Sequence, residues 1–85
     1  MSVNFEKHFS RRALLYGKEL DDNFLVDDIS VDKDIYSAIV FDSDDHEVSV
    51  IIYNGNFISG KCDCSYASSG HNCEHMAALL YAIND

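Results

Sequence analysis

The chain has 85 residues, 47% of them hydrophobic, and a formal net charge of −9. This length suits one domain with a small core, and the apolar content excludes a disordered chain. The excess of acidic residues opposes contact with phosphate backbones, so strong binding to nucleic acid by this chain alone is not expected.

The sequence also excludes some locations and kinds of partner. No apolar segment follows Met1 as in a signal peptide, and no run approaches the roughly 18 apolar residues of a membrane span. Three cysteines are an odd number, which suits a disulfide framework poorly and favours a reducing compartment. We therefore expect a cytoplasmic protein with no membrane partner and no small-molecule substrate.

The first element predicted is an N-terminal helix within residues 1–18. Its apolar stripe has steps of four and three residues, which is typical of a core-facing helix. The stripe consists of Phe5, Phe9, Ala13 and Tyr16. Ser2 or Asn4 is placed to cap its start, and Gly17 is placed to end it.

Residues 24–61 predict a small antiparallel β-meander of four strands. Their predicted bounds are Phe24–Val31, Ile35–Phe41, Val48–Tyr53 and Asn56–Lys61. Asn54-Gly55 favours a type I′ turn between the last two strands, since both central residues of that turn need positive φ. With a period of two, Ile58, Gly60, Cys62 and Cys64 are expected to share one face.

The acidic segment at residues 42–47 is interpreted as a solvated turn between two strands. A calcium loop would need glycine at its sixth position and glutamate at its twelfth, and this segment has neither. The whole stretch 19–47 holds eleven acidic residues against Lys33 alone, a net charge of −10. Residues 1–18 carry four basic residues against Glu6, a net charge of +3.

A cluster of cysteine and histidine follows the last predicted strand. Cys62, Cys64, Cys73 and His75 are arranged as C-x-C-x8-C-x-H. Thiolate and imidazole are preferred ligands of Zn²⁺, and a structural zinc ion takes four ligands in a tetrahedron. The pattern predicts one structural Zn²⁺ and leaves no position for a catalytic water, so an enzyme is not expected.

The last predicted helix, Cys73–Ile83, restricts how the second pair of ligands can bind. Residues two apart in a regular helix point about 200° from each other. Cys73 is therefore expected at or just before the first turn, with His75 inside it.

Other roles are open for some of these residues. Cys73 and His75 could form a nucleophile and its base, but Cys62 and Cys64 would then have no role. His71 is a fifth candidate ligand, expected beside the site or exposed, that could replace His75. The remaining expectations concern surface or packing roles for His8 and His46 and a ring of Tyr66 that covers the metal.

The arrangement resembles the SWIM zinc finger family, whose members carry C-x-C-P-[YF], then glycine, then C-K-H-x-x-A. Residues 62–83 are similar over Cys62-Asp63-Cys64-Ser65-Tyr66, Gly70, Cys73-Glu74-His75 and Ala78-Leu79-Leu80. The resemblance implies a zinc unit with Cys62, Cys64, Cys73 and His75 as ligands. It also implies association with a large ATPase, such as the bacterial helicase-like ATPases of the Swi/Snf type. Ser65 replaces a common proline, and Glu74 replaces a common lysine, which weakens the case for phosphate contact at this helix.

Together these patterns predict an α+β domain over residues 1–85. Its parts are an N-terminal helix, a small antiparallel β-meander, a zinc-stapled loop and a C-terminal helix, the last two over residues 62–83. The expected function is a non-catalytic zinc module that docks on a protein, the ATPase portion of its own or a partner's chain, through a patch near Tyr66, Met76 and Tyr81. The alternative is a nucleic-acid-binding module that uses the basic residues of the N-terminal segment. These are Lys7, Arg11, Arg12 and Lys18, with Lys61 as a further candidate.

Overall fold

The computed structural model describes residues 2–84 and has the predicted α+β architecture. A 3₁₀ turn at Glu6–His8 precedes the first helix. The elements that follow are α1 (Arg11–Asp22), β1 (Val26–Asp32), β2 (Ile35–Asp42), β3 (Asp44–Tyr53), β4 (Asn56–Cys62), α2 (Ser65–Ser68) and α3 (Glu74–Asn84). No helix within residues 2–84 is long and apolar enough to cross a membrane.

The four strands form an antiparallel meander in the order β1-β2-β3-β4, as predicted. Asn54 and Gly55 connect β3 to β4 with φ angles of 53° and 75°. Both values are positive, as a type I′ turn requires, so the predicted hairpin is confirmed.

Both long helices lie on one face of the sheet, which we call the inner face, and α3 fills the centre of this layer. Its residues from Met76 to Leu80 are all buried against inner-face side chains of β2, β3 and β4, including Val40, Val50 and Phe57. The opposite face of the sheet, which we call the outer face, is not covered by any element among residues 2–84.

The first helix starts later than predicted, because its cap is a different residue. The Ser10 hydroxyl accepts a hydrogen bond from the Ala13 amide, so α1 begins at Arg11, and neither Ser2 nor Asn4 caps it. Phe5 and Phe9 precede the helix and are buried as expected, but Tyr16 is 48% exposed. The predicted stripe is therefore not one helical face, since Phe5 and Phe9 lie before α1 and the buried residues of α1 are Ala13 and Gly17.

Gly17 lies inside α1 and does not end it, contrary to the prediction. A Cβ atom at this position would lie 2.6 Å from the Cβ of Ala77 and 2.9 Å from the backbone nitrogen of Ala78. The absence of a side chain therefore lets α1 and α3 pack at close range.

The acidic segment 42–47 is strand rather than an extended turn. Asp42 pairs with Asp44, and Ser43 alone makes the reversal with a φ of 67°. Because side chains alternate along a strand, Asp42 shares the inner face with Val40, and His46 shares it with Val48. This placement brings two polar side chains towards the start of α3.

A register shift in β4 corrects the predicted face of one residue. Ile51 pairs with Ser59 and Ile52 pairs with Phe57, so Ile58 is an extra residue between them. Ile58 is exposed, while Gly60 and Cys62 keep the inward direction.

Candidate metal centre

The four candidate ligands lie at the end of β4, the start of α2 and the start of α3, which meet at one place. Cys62 is the last residue of β4, and Cys64 is the cap residue of the short helix α2. Cys73 lies directly before α3, and His75 lies in its first turn, as the spacing predicted. The fold thus brings the four residues of the motif together from the sheet layer and the helix layer of the domain.

The ligand atoms of these residues lie within 4.8 Å of one another. The Nδ1 atom of His75 is 3.4 Å from the sulfur of Cys62 and 3.8 Å from that of Cys73. Zinc bonds of about 2.3 Å to sulfur and 2.0 Å to nitrogen place such ligand atoms roughly 3.6 Å apart in a tetrahedron. The Cys₃His group therefore fits one zinc ion.

The surroundings of the group are also suited to a structural ion. Cys73 and His75 are buried, and Cys62 and Cys64 are half-buried. The amide of Ala67 donates a hydrogen bond of 3.4 Å to the sulfur of Cys64. The backbone of α2 thus orients that sulfur.

His75 is oriented by a residue that the sequence reasoning did not identify. Its Nε2 atom lies 2.8 Å from Oδ2 of Asp42, on the other side of the ring from the sulfur atoms. With Nε2–H donating to this carboxylate, the lone pair of Nδ1 points at the three cysteines. Asp42 was assigned to a turn, but its in-phase spacing with Ala38 and Val40 was a usable signal for the inner face.

His46 is the second residue that was missed, since it was expected to have only a surface or packing role. Its ring stacks on that of His75 with centroids 4.2 Å apart and an interplanar angle of 17°. Its Nδ1 atom lies 2.6 Å from Oδ1 of Asp63, the residue between Cys62 and Cys64. His46 therefore covers one side of the metal ligand and is itself held by the ligand loop.

Hydrogen bonds inside the group set its protonation in the absence of metal. The hydrogen bond from Cys62 lowers the pKa of Cys73 to about 4, against the opposing effect of burial. The same bond, together with burial, raises the pKa of Cys62 well above its usual value. Burial disfavours the imidazolium of His75, but hydrogen bonds with Cys73 and Asp42 outweigh it and raise its pKa to about 10. The group thus holds a thiolate stabilised by neighbouring protons, which a cation can replace.

Two other predicted residues lie outside the ligand group. The rings of His71 and Tyr66 stack on each other with centroids 4.6 Å apart, and both side chains are exposed. Within residues 2–84, His71 is not among the side chains whose ligand atoms meet the three cysteines. His75 occupies that position instead.

The basic residues of the N-terminal segment lie on the surface of α1 and the turn before it. Lys18 forms an ion pair of 3.1 Å with Asp22, and Arg12 lies over the ring of Tyr16. Arg12 also lines a depression that contains three acidic residues, Glu19, Asp42 and Glu74. Acidic side chains thus lie beside the basic side chains that a nucleic-acid interface would need.

One residue of the predicted docking patch, Met76, is not on the surface. Met76 is only 2% exposed, because it packs against Gly60 at the centre of the domain. Tyr81 is half-buried with its ring against Phe5. Only Tyr66 of the three is exposed, so these residues do not form a continuous surface.

Comparison with known proteins identifies the segment that contains the ligand group. Residues 48–84 match the family model of the SWIM zinc finger. The match begins in β3, includes all four ligands and ends with α3. Comparison with curated proteins and with solved structures gives no significant match.

Proposed function

Because residues 48–84 match the family model of the SWIM zinc finger, we propose that the chain is a non-catalytic module that docks on a protein. Its zinc ion would be structural, since four protein ligands occupy the whole tetrahedron and leave no position for substrate or water. The three cysteines are all free thiols, which supports work in a reducing compartment such as the cytoplasm.

The observation that carries this proposal is the exposed apolar surface of the sheet. Large apolar side chains on the outer face are 38% to 57% exposed, and they include Ile35, Phe41, Ile51 and Tyr53. An antiparallel sheet can leave one face in water, but that face is then mainly polar. Ile35, Ile51 and Tyr53 occupy neighbouring positions, and a group of exposed apolar side chains favours a protein interface.

The partner that we propose is the ATPase portion of a helicase-like protein of the Swi/Snf type. Support comes from the resemblance of residues 62–83 to the SWIM fingers found in such proteins. The charge distribution agrees with a protein partner, since Glu74 at the start of α3 and the acids around Arg12 oppose phosphate contact.

A nucleic-acid-binding role is the second candidate, and it is favoured by the exposure of Lys7, Arg11 and Arg12 near the start of the chain. A small DNA-binding module neutralises several phosphates, so its affinity falls steeply with salt. We expect DNA binding on the order of 10⁻⁴ M or weaker at physiological salt.

Two parallel titrations of the full zinc-loaded chain test the proposal. Backbone amide shifts would be followed while a Swi/Snf-type ATPase portion from the same organism, or duplex DNA, is added at physiological salt. We expect saturable shifts with the ATPase portion and only weak, salt-sensitive shifts with DNA. An unrelated P-loop ATPase is the control. Micromolar DNA binding centred on Arg11 and Arg12, with no response to the ATPase portion, would reverse the two candidates.

A further inference from the structure

Three serines lie in one row across the outer face of the sheet. Ser30 pairs with Ser37, and Ser37 pairs with Ser49, which in turn pairs with Lys61. Their small side chains leave a depression of about 570 Å³ between larger neighbours. We call this depression the serine trough.

The walls of the serine trough differ in chemistry. On one side, just beyond its lining, the exposed side chains of Ile35 and Ile51 face each other across β2 and β3. On the other side, Ile39 faces Glu47, and Asp63 lies next to Glu47. An occupant of the trough would therefore meet a carboxylate wall with Ile39 beside it, and an occupant that extends past the serine row would also meet Ile35 and Ile51.

The carboxylate wall extends into an adjoining depression of about 470 Å³, which shares Asp28, Ile39, Glu47 and Asp63 with the trough. The second depression adds Asp27, Asp45 and the exposed ring of Phe41. Within residues 2–84, five carboxylates thus line the two depressions, and Lys61 is the one basic residue in their lining.

We propose that the serine trough binds an extended, arginine-containing segment of a protein partner. This inference rests on the proposed docking function and specifies the surface and the chemistry of its partner. Arginine suits this lining, because its methylene stem packs on apolar side chains such as Ile39 while its planar guanidinium forms paired hydrogen bonds with carboxylates.

Charge excludes the other obvious occupants of this face. Duplex DNA and anionic lipid surfaces carry the same sign of charge as the five carboxylates. A second copy of the chain, with its own net charge of −9, would bring the same acidic wall to the contact. A basic protein segment is the occupant whose charge is complementary.

Peptide titrations of the full zinc-loaded chain test the proposal directly. The probe is a synthetic peptide that alternates arginine with valine, and its counterparts carry lysine or glutamate in place of arginine. We expect the arginine peptide to shift the backbone amides of Ser37, Ser49 and Glu47 in a saturable way. The lysine peptide should bind more weakly, and the glutamate peptide should not bind.

Two variants separate charge from shape. Glu47→Arg should weaken binding of the arginine peptide by roughly tenfold, because a close carboxylate is replaced by a like charge. Ser37→Leu should also weaken it, because the side chain fills the trough without a change in charge. Glu19→Arg is the matched control, since it makes the same charge change on the exposed surface of α1. Zinc content and amide dispersion would show that each variant is folded.

The outcomes distinguish this inference from the proposed function. Equal losses from Glu47→Arg and Glu19→Arg, or peptide shifts on α1, would overturn the trough as the site. Docking of the ATPase portion on another surface would also overturn it, while the docking function would stand. Trough shifts caused by DNA or by anionic vesicles would contradict the assignment of a basic protein partner.

Discussion

Nε2 of His75 lies 2.8 Å from Oδ2 of Asp42, so the last residue of β2 orients the histidine of the ligand group. Asp42→Ala removes this acceptor and frees the ring to rotate, so zinc affinity should fall by about tenfold to a hundredfold. A competitive titration against a zinc chelator measures the change.

Asp44→Ala is the matched control for this variant, because Asp44 pairs with Asp42 across the turn and is exposed. It removes the same charge from the same turn and should leave zinc affinity nearly unchanged. Equal losses in the two variants would show that net charge, and not the hydrogen bond to His75, is responsible.

The two histidines of the loop region should differ in their effect on the metal. His75→Ala removes a buried ligand whose Nδ1 faces two sulfur atoms, so tight zinc binding should be lost. His71→Ala removes an exposed ring stacked on Tyr66 and should leave zinc binding nearly intact. A larger loss of zinc affinity from His71→Ala than from His75→Ala, in the same competitive titration, would contradict the assignment of His75 as a ligand.

Zinc affinity should rise with pH over the neutral and mildly alkaline range. The pKa of His75 is raised from 6.5 to about 10, and that of Cys62 is raised as well, so both hold protons near pH 7 without metal. Zinc must displace these protons, which weakens its binding as pH falls. Calorimetry in buffers of different ionisation enthalpy should detect proton release. Affinity that is flat between about pH 6 and pH 9 would contradict this account.

Gly17→Ala should destabilise the domain even though alanine is the better helix former by about 1 kcal/mol. The added Cβ would lie 2.6 Å from the Cβ of Ala77, so α1 and α3 must separate. We expect a net loss of about 1–3 kcal/mol in the free energy of unfolding, measured by urea denaturation. Leu15→Ala is a control on the exposed side of the same helix, and a Gly17→Ala variant as stable as the wild type would refute the close packing.

The sequence predicted the structure best where residues close together in the chain determine the local geometry. The C-x-C-x8-C-x-H spacing identified the four residues that meet at the end of β4, and Asn54-Gly55 identified the hairpin turn. Both patterns depend on neighbours in sequence, so no knowledge of packing was needed.

The errors concern positions where packing between distant elements decides. Gly17 suggested a helix end, but the approach of Ala77 requires a residue without a side chain there. Asp42 and His46 were assigned to a solvated turn because the segment is acidic, although both continue the alternation of their strands. Their role became visible only once α3 placed His75 opposite them.

The central claim is that one zinc ion is bound and that the fold depends on it. The most direct measurement combines elemental analysis of the purified chain with thermal unfolding before and after exhaustive chelation. We predict one zinc per chain and a loss of several kcal/mol of stability without it, because the binding energy of a structural metal is folding energy. The loss should be largest for residues 56–83, which carry all four ligands. A metal-free chain with an unchanged melting temperature would falsify the claim.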